Sequence, residues 1–322
     1  MGKFLVTGGA GFIGSHTVDR LLHEGHEVVA VDNFRTGRRD NLTAALNSAR
    51  FQLIEADISD EAPVREIFRR HAFDGVIHLA ALVSVPESFE TPALNFRLNV
   101  QSVDLVARQC IEHGCPRLVF ASSAAIYGDR AELPNRETVL PDPMSPYAAA
   151  KIAGEYLLAG YARSFSLQTI SLRYFNIYGP RQDPGSPYSG VLSIFSQRFA
   201  AGQAITIFGD GEQSRDFVSV HDVAAVNTRA LVDASLSSGV CNVCTGKTIT
   251  LNEIVGIFQQ HFADSSAPGY QPARTGDIRH SCGDPQKLAA FLGMTANTVI
   301  QDGLHELITW YRQLASAHGN RA

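Results

Sequence analysis

Short apolar runs alternate with helical patterns along the first half of the chain. Runs rich in β-branched residues predict strands, and apolar residues three or four positions apart, such as Ile13, Val18 and Leu21, predict the helices between them. Continuous apolar strands separated by helices are typical of a parallel sheet covered on both faces. The predicted strands are Lys3–Thr7, Glu27–Val31, Phe51–Ile54, Gly75–Leu79, Arg117–Ala121 and Gln168–Leu172.

The alternation becomes less regular after about residue 176. Pro and Gly cluster at Gly179–Gly190, and short strand patterns mix with helical ones beyond them. The pattern predicts an α/β fold with a doubly wound parallel sheet of the Rossmann type and a smaller, mixed α/β C-terminal lobe. We expect a dinucleotide-binding domain over residues 1–175 and a substrate lobe over 176–322, with chain crossings between them.

Composition narrows the class of protein. The chain has 322 residues, 45% of them hydrophobic and 18% charged, with a net charge of −5. A mildly acidic chain without a basic run is a poor candidate for binding nucleic acid or an anionic membrane. No apolar stretch approaches the roughly 18 residues of a membrane helix, and the N-terminus lacks the pattern of a secretory signal. We therefore expect a cytoplasmic protein.

The sequence offers no metal site. Cys241 and Cys244 form a single Cys-x-x-Cys pattern within a segment that predicts a buried strand and a turn. A closed zinc site needs four ligands, and five scattered cysteines are too few for a disulfide framework. We expect structural thiols, and no His-Glu-x-x-His pattern indicates a catalytic metal.

A strand, a glycine-rich turn and a helix begin the chain, with glycines at Gly8, Gly11 and Gly14. The first glycine permits a tight turn, the second lets backbone N–H groups approach a diphosphate, and the third lets the helix pack closely. Asp32 closes the second strand, where a carboxylate binds ribose hydroxyls. Together these features predict a dinucleotide site.

Asp32 also bears on the choice of cofactor. Its charge would repel a 2′-phosphate, so NAD is favoured over NADP. Arg35 and Arg38 follow closely and leave NADP open, although solvated loop cations are the simpler interpretation.

A tyrosine and a lysine stand four residues apart at the start of a predicted helix. The spacing of Tyr147 and Lys151 puts phenol and ammonium on one helix face. An adjacent ammonium and a cationic nicotinamide would lower the pKa of the phenol and make it a base. Ser122 and Ser123 follow the fifth predicted strand, where Ser123 can hydrogen-bond a substrate hydroxyl beside Tyr147.

In this combination the chain resembles the extended short-chain dehydrogenase/reductase superfamily over nearly its whole length. Within the superfamily it is similar to the bacterial nucleotide-sugar 4-epimerases that act on UDP-N-acetylglucosamine and UDP-glucose. The matching segments are residues 7–14, Asp57-Ile58, residues 78–81, Asn99, Ser122-Ser123, Tyr147 with Lys151, and residues 173–176.

The resemblance implies a tightly held NAD⁺. It places Asp57 and Ile58 near adenine, Leu79–Ala81 along the cofactor and Tyr174 near nicotinamide. It also implies a homodimer formed through helices at Ala93–Cys110 and Tyr147–Ala162. The full predicted cofactor set is Gly8, Gly11, Phe12, Ile13, Gly14, Asp32, Asn33, Arg35, Asp57, Ile58, Leu79, Ala80, Ala81, Asn99, Ser122, Tyr147, Lys151 and Tyr174.

A UDP-sugar requires fixed cations for its diphosphate, a flat apolar contact for uracil and acceptors for ribose. Arg215 and Arg274 can hold a diphosphate in forked geometry. Phe208 can contact the base, and Asp277 can accept from ribose. The full predicted substrate set is Ser84, Ser123, Asn176, Gly190, Val191, Thr206, Phe208, Arg215, Arg274, Asp277 and Ser281.

Departures from related sequences favour an epimerase of neutral sugars. Dehydratases and decarboxylases of the superfamily carry an acidic residue after the serine pair, whereas this chain has Ala124 and Ala125. Uronate 4-epimerases carry Thr and Arg where this chain has Asn176 and Asp183.

Two positions bear on the substituent at carbon 2 of the sugar. Ser281 replaces a tyrosine of hexose-only relatives and leaves room for an N-acetyl group. Those relatives also have a lysine where this chain has Val83.

Other functions stay open at this point. The chain could be an epimerase of a UDP-hexuronic acid or an N-acetylated uronic acid. A reductase or dehydrogenase of a small carbonyl compound could use the same Tyr147/Lys151 pair, and a non-enzymatic dinucleotide sensor could share the fold.

Overall fold

The computed structural model describes residues 1–183, 190–262, 267–273 and 278–319. The strands are β1 Lys3–Thr7, β2 Glu27–Asp32, β3 Phe51–Glu55, β4 Gly75–His78, β5 Arg117–Ser123, β6 Gln168–Tyr174, β7 Asn176–Tyr178, β8 Thr206–Phe208, β9 Ser214–Arg215, β10 Phe217–Ser219, β11 Gly239–Val243, β12 Ile249–Thr250, β13 Gly269–Gln271 and β14 His280–Ser281. The α-helices are α1 Phe12–His23, α2 Glu61–Arg70, α3 Val85–Glu90, α4 Pro92–Phe96, α5 Ser102–Glu112, α6 Pro146–Ser164, α7 Val191–Ala200, α8 Val220–Val232, α9 Leu251–His261, α10 Gln286–Leu292 and α11 Ile300–Gly319.

A parallel sheet in the order β3-β2-β1-β4-β5-β6-β11 forms the centre of the described structure. The six strands predicted from the sequence all belong to it, and the predicted doubly wound α/β class is confirmed. Four of them run further than predicted: β2 and β3 each continue by one residue, β5 continues to Ser123 and β6 continues to Tyr174, whereas β4 ends one residue earlier, at His78. The extra residues of β5 carry the predicted Ser122 and Ser123 to the carboxyl edge of the sheet.

Apolar side chains cover both faces of this sheet, as the continuous apolar strands require. In β1, Leu5 packs on one face with Val29 and Val76, whereas Val6 packs on the other face with Val28. Burial of both faces fixes the register of the strands and therefore the positions of their carboxyl ends.

The last strand of the sheet comes from the second half of the chain. β11 pairs with β6, so that Cys241 lies opposite Leu172, and Cys244 is buried in the turn that follows. Helix α8 also packs into the core of the large sheet through Val223 and Leu231. The chain thus returns to the sheet well after residue 176, and a domain division at residues 175/176 stays a prediction.

The remaining strands form small sheets around a second core. β7 pairs with β10, β8 with β13, and β9 lies between β12 and β14. Their core contains Phe199 and Phe258, whose rings stack with centroids 5.0 Å apart. None of the helices in the described residues is long and apolar enough to cross a membrane.

Candidate active site

A cavity of about 450 Å³ opens at the carboxyl edge of the large sheet. The edges of parallel sheets bind ligands at this end because the loops after the strands meet there. The predicted residues that line the cavity are Gly8, Gly11, Phe12, Ile13, Gly14, Asp32, Asn33, Arg35, Asp57, Ile58, Leu79, Ala80, Ala81, Ser122, Ser123, Tyr147, Lys151, Tyr174, Asn176 and Gly190.

The glycine-rich turn has the geometry that the sequence predicts. Gly8 has φ +67°, a conformation that side chains disfavour. A Cβ on Gly14 would lie 2.0 Å from the carbonyl oxygen of Gly8, so only glycine allows α1 to start this close to the turn. Gly11 precedes α1 without a side chain to cap it, which leaves the first N–H groups of the helix for an anion. The turn therefore fits the diphosphate of a dinucleotide.

Asp32 holds this turn together as well as lining the cavity. Its carboxylate accepts hydrogen bonds from the backbone N–H groups of Ala10, at 2.9 Å, and Phe34, at 2.8 Å. Burial raises the pKa of Asp32, and the backbone hydrogen bonds oppose that rise. The carboxylate is thus placed at the end of β2, where a ribose is expected.

The cavity wall after β2 and β3 carries two polar side chains, Asn33 and Asp57. Asn33 donates to Asp57 at 3.1 Å. Burial alone would raise the pKa of Asp57, but hydrogen bonds from Ser59 and Asn33 and the charge of Arg97 outweigh it and lower the pKa. Asp57 therefore stays a carboxylate beside Ile58 on the cavity wall.

The two arginines that left NADP open are both paired with carboxylates. Arg35 forms an ion pair with Glu87, and Arg38 lies 2.6 Å from Asp183. Arg35, Arg38 and Asp183 line the cavity, and both ion pairs would compete with an added phosphate for the two guanidinium groups.

The predicted catalytic residues lie together at the ends of β5 and α6. Ser145 caps α6 by accepting a hydrogen bond from Ala148 N at 3.1 Å, and Pro146 occupies the first turn. Tyr147 hydrogen-bonds with Ser123 and lies under the ammonium of Lys151, whose Nζ is 5.7 Å from the centroid of the phenol ring. Lys151 Nζ donates to the carbonyl of Ala121 at 2.9 Å. This arrangement can relay a proton between a substrate hydroxyl and Tyr147.

The expected lowering of the Tyr147 pKa by Lys151 and a nicotinamide cation together stays a prediction, because in the protein by itself the shift has the opposite direction. Burial raises this pKa, and the hydrogen bond with Ser123 opposes the rise only in part. Burial also lowers the pKa of Lys151 to about 7, because the site disfavours any unpaired charge. The lowering that a base requires must then come from the cationic nicotinamide.

Two predicted residues, Asn99 and Ser84, do not line the cavity but hydrogen-bond to segments next to it. The Asn99 amide donates to the carbonyl of Leu82 at 2.9 Å and accepts from its N–H at 3.0 Å, which fixes the segment after Ala81. Ser84 is buried and caps α3 by accepting from Glu87 N at 2.9 Å. Direct contact of either residue with a ligand stays a prediction.

Among the predicted substrate residues of the C-terminal lobe, Asn176 and Gly190 line the cavity, whereas the other described ones do not. Arg215 and Ser281 are paired neighbours in β9 and β14. Asn176, which does line the cavity, is the first residue of β7 and pairs with Phe217. The others are Val191 in the first turn of α7, and Thr206 and Phe208 in β8. Arg274 and Asp277 lie outside the described residues.

The cavity wall includes residues that the sequence patterns did not predict as ligands. Arg181 and Gln182 line it after β7, with Arg181 at φ +70° and paired with Asp19 at 2.7 Å. Asn41 lines it from the loop after β2 and donates to the carbonyl of Ala10 at 2.9 Å. The Gly-Pro-Arg segment after a strand was the only signal for Arg181, and Asn41 depends on loop packing that no local pattern encodes.

Residues 4–244 match the NAD dependent epimerase/dehydratase family. The chain belongs to this family. The resemblance stated from the sequence is thereby confirmed, and so is NAD as the cofactor, since solved structures of family members contain it.

Individual family members match nearly the whole chain. A UDP-glucose 4-epimerase of Mycolicibacterium smegmatis is 36% identical over 96% of this chain and 98% of its own. The structure of a Thermotoga maritima UDP-glucose 4-epimerase with UDP-glucose superposes with a TM-score of 0.92 at 37% identity, covering 97% and 99% of the two chains.

Other members act on different UDP-sugars. A UDP-N-acetylglucosamine 4-epimerase of Methanobrevibacter ruminantium, solved with UDP-N-acetylmuramic acid, has a TM-score of 0.92 at 34% identity and covers 97% and 99% of the chains. Relatives at 30–31% identity are named as UDP-glucuronate and UDP-arabinose 4-epimerases. These relatives are thus UDP-sugar 4-epimerases that differ in the sugar named.

Proposed function

We propose that this epimerase interconverts UDP-N-acetylglucosamine and UDP-N-acetylgalactosamine, and also UDP-glucose and UDP-galactose. The observation that carries the proposal is the common cavity of the Tyr147/Ser123 pair and the dinucleotide-binding turn. Asn176 enters the same cavity from β7, the first strand of the lobe that holds Arg215 and Ser281.

The residues would divide the reaction as follows. The phenolate of Tyr147 takes the proton of the sugar 4-hydroxyl, while Ser123 hydrogen-bonds that oxygen, and Tyr147 later returns the proton. NAD⁺, when bound, accepts hydride from carbon 4 and gives it back. Lys151, in its protonated form, favours the ionised form of the phenol beside it. Inversion of carbon 4 would follow if hydride returns to the opposite face of the 4-keto sugar from the cofactor held by the glycine-rich turn and Asp32.

Inversion requires the sugar to turn while the rest of the substrate stays fixed. We propose that Arg215 holds the diphosphate, together with Arg274, and that Phe208 and Asp277 hold the uridine. Thr206, Gly190 and Val191 would complete this anchor. A substrate held mainly through UDP leaves the sugar few contacts and permits the turn.

The charges at the cavity favour a neutral sugar. Asp183 brings a carboxylate to the wall, and Arg38 is already paired with it. Arg181, which follows β7, forms an ion pair with Asp19. Asp183 would therefore repel a sugar carboxylate in this cavity, and both Arg38 and Arg181 already pair with carboxylates of the protein. Ser281, at the edge of the lobe, would leave room for the N-acetyl group.

We also propose a homodimer. Large apolar side chains are exposed on the two predicted interface helices and on α3: Phe89 is 58% exposed, Phe96 53% and Tyr156 63%. Such a group on neighbouring helices fits a self-complementary interface. The predicted helix Ala93–Cys110 is continuous through α4, a π-helical turn at Arg97–Gln101 and α5. A monomer mass in light scattering of the purified protein would contradict this proposal.

Incubation with single UDP-sugars tests the function. Purified protein with NAD⁺ is mixed separately with UDP-N-acetylglucosamine, UDP-glucose and UDP-glucuronate, and the anomeric proton of each 4-epimer is followed by NMR. We expect conversion of the first two and not of the third. Conversion of UDP-glucuronate alone would replace the proposal by a uronate epimerase. If none is converted but NADH is consumed with a small carbonyl compound, a reductase is indicated.

A further inference from the structure

Asp216 is a fully buried carboxylate between two residues of the candidate substrate lobe, Arg215 and Phe217. One of its oxygens accepts hydrogen bonds from Thr245, from the N–H at 2.9 Å and from the hydroxyl at 2.7 Å. The other accepts from the N–H of Gly246 at 2.9 Å and from the N–H of Gly283 at 3.3 Å. The side chain thus joins three separate chain segments.

The backbone of the same residue bonds to β14, just before Gly283, and to one further segment, that of Asn176. The N–H of Asp216 donates to the carbonyl of Ser281 at 3.0 Å, and its carbonyl accepts from the N–H of Asn176, also at 3.0 Å. Asn176, Arg215 and Ser281 are all proposed substrate residues, and each is either bonded to Asp216 or adjacent to it. A single residue therefore sets the spacing among them.

The carboxylate also fixes these residues relative to the cofactor. Thr245 and Gly246 follow β11 directly, and β11 is the edge strand of the sheet whose carboxyl ends form the cofactor cavity. Gly246 has φ +74°, so the turn that presents both N–H groups to Asp216 depends on glycine. The bonds of Asp216 connect the small β9–β14 sheet to the large one.

Burying the charged carboxylate of Asp216 costs desolvation free energy that an apolar side chain at this position would not. Burial raises the pKa of Asp216, and the hydrogen bonds from Thr245, Gly246 and Gly283 oppose that rise. A buried carboxylate is tolerated when it accepts several such bonds. Its geometric benefit is that it can accept from four donors on several segments at once, which a neutral amide cannot do.

We propose that Asp216 is a positioning residue for the UDP-sugar, holding Asn176, Arg215 and Ser281 at a fixed distance from the cofactor sheet. The inference rests on the proposed function, because these three residues are assigned to the substrate there. It predicts that loss of the carboxylate weakens binding of UDP and leaves NAD⁺ binding unchanged.

The variant Asp216→Asn tests this. Its amide NH₂ group would face N–H donors, so one of the segments must move. We expect the Kd for UDP, measured by titration calorimetry on the NAD-loaded enzyme, and the KM for the UDP-sugar to rise about tenfold. NAD⁺ content after gel filtration should match that of the wild type. Asp233→Asn is the matched control: its carboxylate is partly exposed, pairs with Arg229 and accepts from Ser235, and the variant should bind UDP normally.

A milder variant guards against misfolding of Asp216→Asn. Thr245→Val removes one of the four accepted bonds and keeps the charge, and it should raise the Kd for UDP about threefold. Unchanged UDP affinity in both folded variants, or a loss of NAD⁺ parallel to the loss of UDP, would overturn the inference. If the wild type itself neither binds UDP nor converts any UDP-sugar, the proposed function fails instead.

Discussion

The phenol of Tyr147 lies in surroundings that oppose its ionisation. Burial raises its pKa, and Lys151, buried beside it, has its own pKa lowered to about 7. Burial of the pair therefore disfavours ammonium on Lys151 as well as phenolate on Tyr147 in the protein alone. A bound nicotinamide cation would favour phenolate, and it would also disfavour ammonium on Lys151. We infer that ionisation of the pair is coupled, so that the pH dependence of turnover belongs to both groups together.

The variant Tyr147→Phe tests whether Tyr147 is the catalytic base. The change removes one hydroxyl and keeps the ring, so the cavity wall is preserved. We expect kcat to fall at least about 10²-fold, because proton transfer at the 4-hydroxyl loses its acceptor. NAD⁺ content, measured by absorbance after denaturation, should not change. Tyr161→Phe, on the same helix with its hydroxyl bonded to Asp104, is the control. Turnover that survives Tyr147→Phe would remove Tyr147 as the base.

Elements differ in how far the sequence predicts them. Five of the six strands predicted for the large sheet are almost wholly buried, which leaves a continuous apolar run in each. The edge strand β3 is only partly buried, but Phe51, Leu53 and Ile54 still give it a short apolar pattern. The glycine turn and the Tyr147/Lys151 helix could also be predicted, since their chemistry depends on local spacing. β9 and β14 have two residues each, too few for any periodicity. Their pairing, which brings Arg215 beside Ser281, depends on tertiary contacts such as those of Asp216.

The helix that carries Tyr147 is fixed to the sheet by a buried ion pair. Glu155 in α6 accepts from Arg173 in β6 through two parallel bonds of 2.9 and 2.7 Å, and both side chains are at most 5% exposed. Ser122 in β5 donates to the same carboxylate. Arg173 also donates to the hydroxyl of Tyr127 at 2.8 Å. The pair thus aligns α6 with the ends of both strands that line the cavity.

Removing one partner of this pair should lower the free energy of unfolding more than removing both charges does. Arg173→Met would leave the Glu155 carboxylate buried and uncompensated, at about 3–5 kcal/mol of the free energy of unfolding. The double variant Glu155→Gln with Arg173→Met removes the charge and should regain part of that loss. Urea denaturation of the three proteins measures this. A double variant less stable than Arg173→Met would show that the two residues contribute independently.

At the scale of the whole molecule, His16 connects the cofactor half to the chain that enters the substrate lobe. It lies buried in α1, and its Nε2 is 3.0 Å from the carbonyl oxygen of Pro180. Its ring also meets that of His221 in α8 edge to face, with centroids 5.0 Å apart. Burial lowers the pKa of His16 to about 4, the bond to Pro180 opposes this, and Arg181 and His221 add to the lowering. Folding therefore selects the neutral ring.

This selection makes stability depend on pH with a definite sign. Unfolded His16 binds a proton below its ordinary pKa of 6.5, whereas the folded protein resists protonation down to about 4. The unfolded state thus holds more protons between these values, and stability falls as the pH is lowered through them. Buried His78, with its pKa lowered to about 3, adds a loss of the same sign.

His16→Gln should weaken that dependence, because its amide can donate to Pro180 without titrating. Between pH 7.5 and pH 5 the wild type should lose about 2 kcal/mol more unfolding free energy than this variant, as measured by urea denaturation at the two values. His23→Gln, at an exposed position of the same helix, is the matched substitution. Equal losses of unfolding free energy in the wild type and His16→Gln would mean that the folded protein accepts a proton on His16 as readily as the unfolded chain does. The contact with Pro180 would then join the two halves of the molecule whether or not the ring is charged.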